Sequence, residues 1–191
     1  SSPWKEAFRK QMENDTTATR ENLHRLVERE SLLIRDSQIA DLSALSEFVR
    51  LRELNFAGTS VSSIPALENI KGLRSLHATS GPLQNIESLE QFTSLEEIDI
   101  SNTPVDDLEP LRNLKNIRHV NCAGTQVKRL DALKDLHELQ FLDCSNTPVS
   151  RLDPVLSLPL ATFKCYNTRI SPRQIDKFRK NNPVCEVIYY R

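Results

Sequence analysis

Apolar residues recur along the chain with a period of 22 residues. Segments with one shared pattern follow each other at this spacing, and the last comes 21 residues after its predecessor. Their first residues are Leu51, Leu73, Leu95, Ile117, Leu139 and Leu160. Each segment has apolar residues at repeat positions 1, 4, 6 and 11, and the first five also at positions 14, 17 and 20. An internal repeat of this length indicates a stacked, elongated architecture.

A degenerate unit precedes these segments. Counting back 22 residues from Leu51 places apolar residues on the expected positions once more. They are Leu32, Ile34, Ile39, Leu42, Leu45 and Phe48. The array therefore comprises about seven units.

Two periods within each unit predict its local structure. Positions 1 to 7 alternate apolar and polar residues, which is the period of a strand, whereas positions 14, 17 and 20 recur every three residues, as in a short 3₁₀ or helical stretch. Such a unit cannot bury its own apolar side, so it stacks on its neighbours and its strands form a parallel sheet along one face. The pattern predicts an α/β solenoid.

The pattern LxxLxLxxTxVxxLxxLxxLxx, over roughly residues 29 to 180, resembles the leucine-rich repeat. Its 22-residue length and third return-segment Leu resemble the internalin-like class, and the NPxCxV tail is similar to those that end many bacterial leucine-rich repeats. The resemblance implies a right-handed superhelix with a parallel concave sheet that binds protein and a convex face of short helical turns.

Repeat position 9 departs from that family pattern. The resemblance implies an Asn there, whose amide bonds the backbones of adjacent turns, and this chain has Thr at all but one of these positions. The residues are Thr59, Gly81, Thr103, Thr125, Thr147 and Thr168. A Thr hydroxyl has one donor and a shorter reach, so we expect it to satisfy part of that ladder.

Both ends of the array need caps, because a solenoid exposes its core there. At the N-terminus, Trp4, Phe8 and Met12 are spaced by four residues and predict an amphipathic helix, followed by a second helix that carries Leu23, Leu26 and Val27 inward. We favour a cap over a linker helix to another domain.

At the C-terminus, a helix over residues 174–180 and a strand over 184–190 close the array, because Pro183 stops the helix and apolar residues alternate after it. The predicted organisation is a helical cap over 1–30, a solenoid over 31–173 and a cap over 174–191, together one structural domain.

Composition narrows the function classes. Lys and Arg number 25 against 26 Asp and Glu, which disfavours a nucleic-acid partner. Four glycines without a phosphate-loop motif give no support for a nucleotide, and we expect no cofactor. No apolar run is long enough to insert into a membrane. The first residues lack a signal-peptide pattern. We expect a monomer located in the cytoplasm, with export or the periplasm as the alternative where a signal segment preceded residue 1.

Three cysteines share one core position. Cys122, Cys144 and Cys165 occupy position 6 of successive units, so they stack about 4.8 Å apart. In-register parallel strands hold their Cβ atoms side by side rather than facing, so we favour small buried hydrophobic residues over a disulfide. The chain has no CxxC spacing that would indicate zinc. Reduced core thiols also favour a reducing compartment.

Two histidines fall on outward-facing strand positions. His77 is one strand from Asp99, and His119 is one strand from Glu97. Either pair would be hydrogen-bonded or half of a metal site, and the alternative, which we favour, is an ordinary polar ladder on a binding face. A catalytic triad would need one of these histidines within hydrogen-bond reach of a serine, and the candidates are Ser75, Ser101 and Ser145. An open sheet offers no water-excluded cleft, so we expect that the chain is not an enzyme.

A partner's binding energy should concentrate in large side chains on the concave face. Phe141 at position 3 and Tyr166 at position 7 point out of the sheet on neighbouring strands, although Tyr166 could instead cover the start of the C-terminal cap. The predicted partner-binding set is Phe141, Tyr166, His119, Arg118, Asp143, Asp99 and His77.

The sequence therefore predicts a non-catalytic module that binds a protein or peptide through its concave face. The alternative is a structural spacer, or a sensor part of a larger chain, with no ligand site of its own. RNA binding would need a basic concave stripe, and acidic residues occupy that place.

Overall fold

The computed structural model describes residues 4, 8, 20–35 and 37–190, without the side chains of 20–23. In this part of the chain, eight short strands form one parallel sheet whose spatial order is the chain order. The strands are β1 Ser31–Leu33, β2 Glu53–Asn55, β3 Ser75–His77, β4 Glu97–Asp99, β5 His119–Asn121, β6 Phe141–Asp143, β7 Thr162–Lys164 and β8 Glu186–Ile188. The predicted leucine-rich-repeat solenoid is confirmed.

The repeat positions of the sequence are the core of the structure. In each of β1 to β7 the central residue, at position 4, is buried, and the same holds for the apolar residues at positions 1, 6 and 11 of every unit from Leu51 onward. The degenerate first unit fits as well, because Leu32, Ile39 and Phe48 are each no more than 2% exposed. Stacked units thus bury a continuous apolar column.

The return segments contain short 3₁₀ helices, as the three-residue period predicts. They span Ser43–Glu47, Glu87–Gln91, Glu109–Leu111, Asp131–Leu133 and Asp153–Val155. The unit of Leu51 has none in its return segment; there Ser63 makes an isolated bridge to Asn85 of the next unit.

Both caps pack on the terminal units. Helix α1, Arg20–Val27, buries Leu26, while Trp4 Nε1 donates to the Asp41 carbonyl at 2.9 Å and the Phe8 ring lies 5.9 Å from that of Phe48. The prediction for Met12 lies outside the described residues, and so does the side chain of Leu23.

Helix α2, Pro172–Asn181, and strand β8 form the C-terminal cap. The helix begins two residues before the predicted start, because Ser171 and Gln174 form a capping box: the Gln174 amide donates to Ser171 Oγ, and the Ser171 amide donates to Gln174 Oε1. Phe178 packs against Phe163 with ring centroids 4.9 Å apart, so the cap covers the last core layer.

The threonines at position 9 differ from the expectation. Their hydroxyls donate to the carbonyl three residues earlier in their own unit, as Thr103 does to Ile100 at 2.6 Å, rather than to an adjacent turn. The bond recurs at Thr59, Thr103, Thr125, Thr147 and Thr168. Backbone amides at position 8 make the contact between turns instead; Asn102 N, for example, donates to Ala123 O at 2.8 Å.

Position 8 requires a left-handed backbone in every unit that starts at Leu51 or later. Its residues are Gly58, Ser80, Asn102, Gly124, Asn146 and Asn167, all with φ between 51° and 70°. Gly and Asn adopt this conformation at low cost, which explains why they prevail here.

We predict that Gly124→Ala destabilises the fold more than Gly58→Ala. Both have φ of 70°, so each substitution costs about 1–2 kcal/mol in backbone strain. A Cβ atom at residue 124 would also lie 2.5 Å from Asn102 Oδ1, whereas at residue 58 it would meet no atom within 4 Å. Thermal and urea unfolding measure the difference, which should shrink in an Asn102→Gly background. Equal destabilisation by the two substitutions would contradict this.

The cysteines provide a second prediction. Burial raises the pKa of Cys122 and of Cys165 to about 12 and that of Cys144 well above its ordinary value, and all three are free and buried, as predicted. Only the thiolate reacts with disulfide reagents. Partial burial raises the pKa of Cys185 as well, but this thiol alone is not fully buried, so at about pH 8 we expect slow labelling of the folded protein at Cys185 alone and labelling of all four cysteines after denaturation. Cys185→Ser should abolish native labelling; rapid native labelling of a second thiol would be inconsistent with the buried stack.

Candidate partner-binding face

The concave face consists of the strand residues that flank each buried central residue. Positions 3 and 5 of each unit are exposed or half-buried on this face, apart from Asp143. The strand pairing is in register, so each position forms a column across the sheet. Position 3 reads Glu53, Ser75, Glu97, His119, Phe141 and Thr162 from β2 to β7.

Large side chains gather at the C-terminal end of this face. The half-buried ring of Phe141 has Lys164 Nζ 5.2 Å from its centroid and the ring of His119 at 6.0 Å. The Tyr166 ring stacks on that of Tyr190 at 4.6 Å with only 3° between their planes. We call His119, Phe141, Lys164, Tyr166 and Tyr190 the aromatic patch.

The contacts of Tyr166 combine the two alternatives that its sequence position left open. Its ring covers part of the C-terminal cap, since Tyr190 follows β8, and it also remains half-buried on the surface. Tyr190 is 59% exposed, so the pair offers apolar area to solvent. Sequence reasoning missed Lys164 and Tyr190 as members of this surface. The alternation of Val187 and Tyr189 assigned Tyr190 to the outward side of the last strand, and this signal could have identified it.

Neither of the two histidine–carboxylate pairs that the sequence allowed is formed, in line with the polar ladder that we favour. His77 Nε2 lies 3.0 Å from Ser75 Oγ and 3.9 Å from Glu97 Oε1, so its partners are these two side chains rather than Asp99. His119 packs against Phe141 and shows no hydrogen bond to Glu97, although the two residues are register neighbours.

Asp99 is occupied elsewhere. Its Oδ1 accepts the Ser101 amide at 2.9 Å and its Oδ2 accepts Asn121 Nδ2 at 3.0 Å. Asp143 does the same for the Ser145 amide at 2.9 Å and is only 8% exposed. The predicted binding role of Asp143 is therefore corrected: its carboxylate holds the turn after β6 and presents almost no surface to a partner.

This turn contact recurs along position 5 and explains its polarity. The side-chain oxygens of Asn55, Asp99, Asn121 and Asp143 each accept the backbone amide two residues later. An Asx turn of this kind satisfies an amide that leaves the strand ladder. Four of the six residues in the position-5 column from β2 to β7 thus stabilise the turns that follow their strands.

The arginines at position 2 are paired with glutamates from neighbouring turns. Arg118 NH2 lies 3.9 Å from Glu138 Oε2, and two further pairs have N–O distances of 3.3 to 3.4 Å. These are Arg52 with Glu30 and Arg74 with Glu96. Arg118, a predicted binding residue, lies beside His119 at the edge of the aromatic patch and is half exposed.

Two adjoining hollows lie on the face nearer the N-terminus. One, of about 540 Å³, extends from Arg52 to His119, and the other, of about 370 Å³, from Ser31 to Glu97. Both are lined by Glu53, Ser75 and Glu97, so the position-3 column forms their common floor. Sequence reasoning missed this groove.

Ser75 and His77 meet the distance expected of a nucleophile and its base, and the third group is misplaced. Glu97 approaches Nε2, the same imidazole nitrogen that faces Ser75, whereas in a hydrolase triad the acid bonds Nδ1. The other serine candidates are buried: Ser101 is 8% exposed and Ser145 not at all. The arrangement is a surface hydrogen-bond cluster, without the order of a triad.

Within the described ranges, no three His, Cys, Asp or Glu side chains are placed to hold a metal ion. None of the helices in that part of the chain has the length and apolar character to cross a bilayer.

Solved structures share this architecture. An internalin from Listeria monocytogenes superposes with a TM-score of 0.84 at 19% identity, covering 99% of this chain and 56% of the other, so the present chain spans little more than half of its length. Internalin C2 from the same species gives 0.82 at 17% identity, with 99% and 93% covered. A plant peptide hormone receptor in complex with RGF2 gives 0.69 at 18% identity, with 88% and 29% covered.

At these identities the likenesses show the fold alone, and no curated protein matches the sequence. The family of the leucine-rich-repeat domain of endo-beta-N-acetylglucosaminidase EndoS matches residues 4–147, well over half of the chain. The match begins with the N-terminal cap and ends in the sixth strand unit. The chain therefore belongs to this family of leucine-rich-repeat domains.

Proposed function

We propose that the chain is a non-catalytic protein-interaction module that binds a protein or peptide through its concave face, with the aromatic patch as the main source of binding energy. The observation that carries the proposal is the pair of aromatic contacts at the C-terminal end of the array: Lys164 lies over the Phe141 ring, and Tyr166 stacks on Tyr190 just beyond the ends of β7 and β8. Aromatic side chains with a polar group bury large areas while ordering few rotors, and they dominate measured interfaces.

The polar groups of this face favour a binding role over a catalytic role. The strand amides are used in the sheet, and in four of the described units a position-5 side chain also accepts the amide two residues later, so these amides are not available to stabilise an oxyanion. A shared fold with a plant receptor in complex with RGF2 is consistent with recognition by such a surface.

The same module would also serve within a larger chain. The family is named for one domain of an endoglycosidase, and the first internalin is nearly twice as long as this chain. In that setting the concave face would present a partner to a neighbouring domain, with the chemistry located outside these residues.

We predict that a Phe141→Ala/Tyr166→Ala variant loses its partner. The wild-type chain, immobilised and exposed to lysate of the source cell, should retain a specific protein that this variant binds at least about tenfold more weakly, because truncating two central aromatic residues removes hot-spot contacts. Quantitative mass spectrometry of the retained proteins measures the ratio.

The control is Val49→Ala/Val184→Ala, which removes exposed apolar side chains away from the strands. It should retain the partner as the wild type does, and circular dichroism should show all three proteins folded. Equal retention by the aromatic variant and the wild type would exclude the patch as the binding site.

A further inference from the structure

The position-3 column divides the concave face into two chemical halves. Its first part has carboxylates on either side of a hydroxyl, at Glu53, Ser75 and Glu97, and its last part has the rings of His119 and Phe141. A ligand that lies along the column, perpendicular to the strands, therefore meets polar, acidic groups at one end and an aromatic surface at the other.

Two carboxylates of the acidic half are not paired with an arginine of the described chain. Within the described structure Glu53 takes part in no ion pair, and the partner of Glu97 is His77 at 3.9 Å. The larger hollow is lined by three glutamates and three arginines, and each arginine is engaged by a glutamate other than Glu53 or Glu97. These pairs are Arg52 with Glu30, Arg74 with Glu96 and Arg118 with Glu138, so the carboxylates of Glu53 and Glu97 on either side of Ser75 have no guanidinium partner among the described residues.

The chain around β4 has no cationic residue. Between Arg74 and Arg112 it has eight acidic residues and no Lys or Arg, and three of the eight, Glu96, Glu97 and Asp99, lie in or next to β4. A cationic side chain that enters the hollow over Ser75 would have a carboxylate about one strand spacing away on each side, together with the Ser75 hydroxyl as an acceptor. Complementary charge of this kind orients a partner and suppresses wrong ones.

The distance between the two halves sets a spacing. Ser75 and Phe141 lie in one column and are separated by three strand spacings, about 14 Å. An extended polypeptide covers about 3.3–3.6 Å per residue, so this distance corresponds to about four residues. The open sheet has no wall between the halves, since the larger hollow extends to His119 beside Phe141.

We propose that the concave face binds an extended segment of a partner protein that places a Lys or Arg over Ser75, between Glu53 and Glu97, and an aromatic or large aliphatic side chain over Phe141, about four residues away. The inference rests on the proposed function and specifies its ligand. In this proposal the carboxylates of the acidic half determine which partner is bound, and the aromatic patch contributes the larger share of the affinity.

A random peptide library displayed on phage tests this directly. Selection on the folded wild-type chain should enrich peptides with a cation and an aromatic or large aliphatic residue about four positions apart. A resynthesised peptide should bind Glu53→Gln/Glu97→Gln about tenfold more weakly at low salt, and the difference should decrease as salt screens the pair. Replacing the peptide's cation by Ala should remove the difference between the two proteins.

The matched control is Glu68→Gln/Glu90→Gln, which neutralises two exposed carboxylates at position 18 of adjacent units, off the strand face. It should bind the peptide as the wild type does. Peptides that lack the cation, or unchanged binding to Glu53→Gln/Glu97→Gln, would overturn the inference. The proposed function would still stand in that case if Phe141→Ala/Tyr166→Ala lost the peptides, whereas a failure to enrich any peptide that the concave variants weaken would overturn both.

Discussion

Contact between neighbouring units is the constraint on which this structure depends. A 22-residue unit has one strand and one return segment, too little to enclose its own apolar side chains, so every buried position is covered by the units before and after it. Backbone bonds follow the same rule: amides at positions 6 and 8 donate to carbonyls of the next unit, as Ile100 N does to Asn121 O at 2.9 Å. The caps exist because the first and last units lack one neighbour.

This constraint determines which groups remain for a partner. Strand amides are used in the sheet, and in the four units with Asn or Asp at position 5 an Asx turn holds the amide two residues later, as at Asp99 and Asp143. The side chains at positions 2, 3 and 7 are therefore the ones free to vary, because the stack does not need them. The two hollows and the aromatic patch are built mainly from these positions, with Lys164 and the cap residue Tyr190 added.

Along the solenoid, the acidic and aromatic groups lie on different units. Since each unit contacts only its neighbours, a substitution on one strand changes the surface locally without altering the fold elsewhere. Under the proposed function, a long partner would contact several units in series, with charge setting its orientation and burial of aromatic area setting its affinity. The concave face thus has carboxylates towards one end and aromatic rings towards the other, although the net charge of the whole chain is close to zero.

The sequence by itself determined the architecture, because the repeat period encodes which side chains are buried. Leu32 and Phe48 of the degenerate first unit and the buried Cys122 could all be placed by counting, and so could Phe141 on the outward face. Their environments follow from strand alternation and from stacking at fixed intervals, and both can be deduced from the spacing of residues along the sequence.

The tertiary structure decided how neighbouring polar and aromatic groups pair. His77 has Asp99 opposite it on the next strand, Ser75 two residues earlier on its own strand and Glu97 on the diagonal. Its side-chain conformation brings it to Ser75 and Glu97, which strand spacing alone does not predict. Likewise Thr103 turns back to its own unit, Asp143 turns inward to a backbone amide, and Tyr166 meets Tyr190 across the cap. Periodicity fixes the column a side chain belongs to, whereas its partner within reach depends on rotamers and on competing hydrogen bonds that the folded backbone supplies.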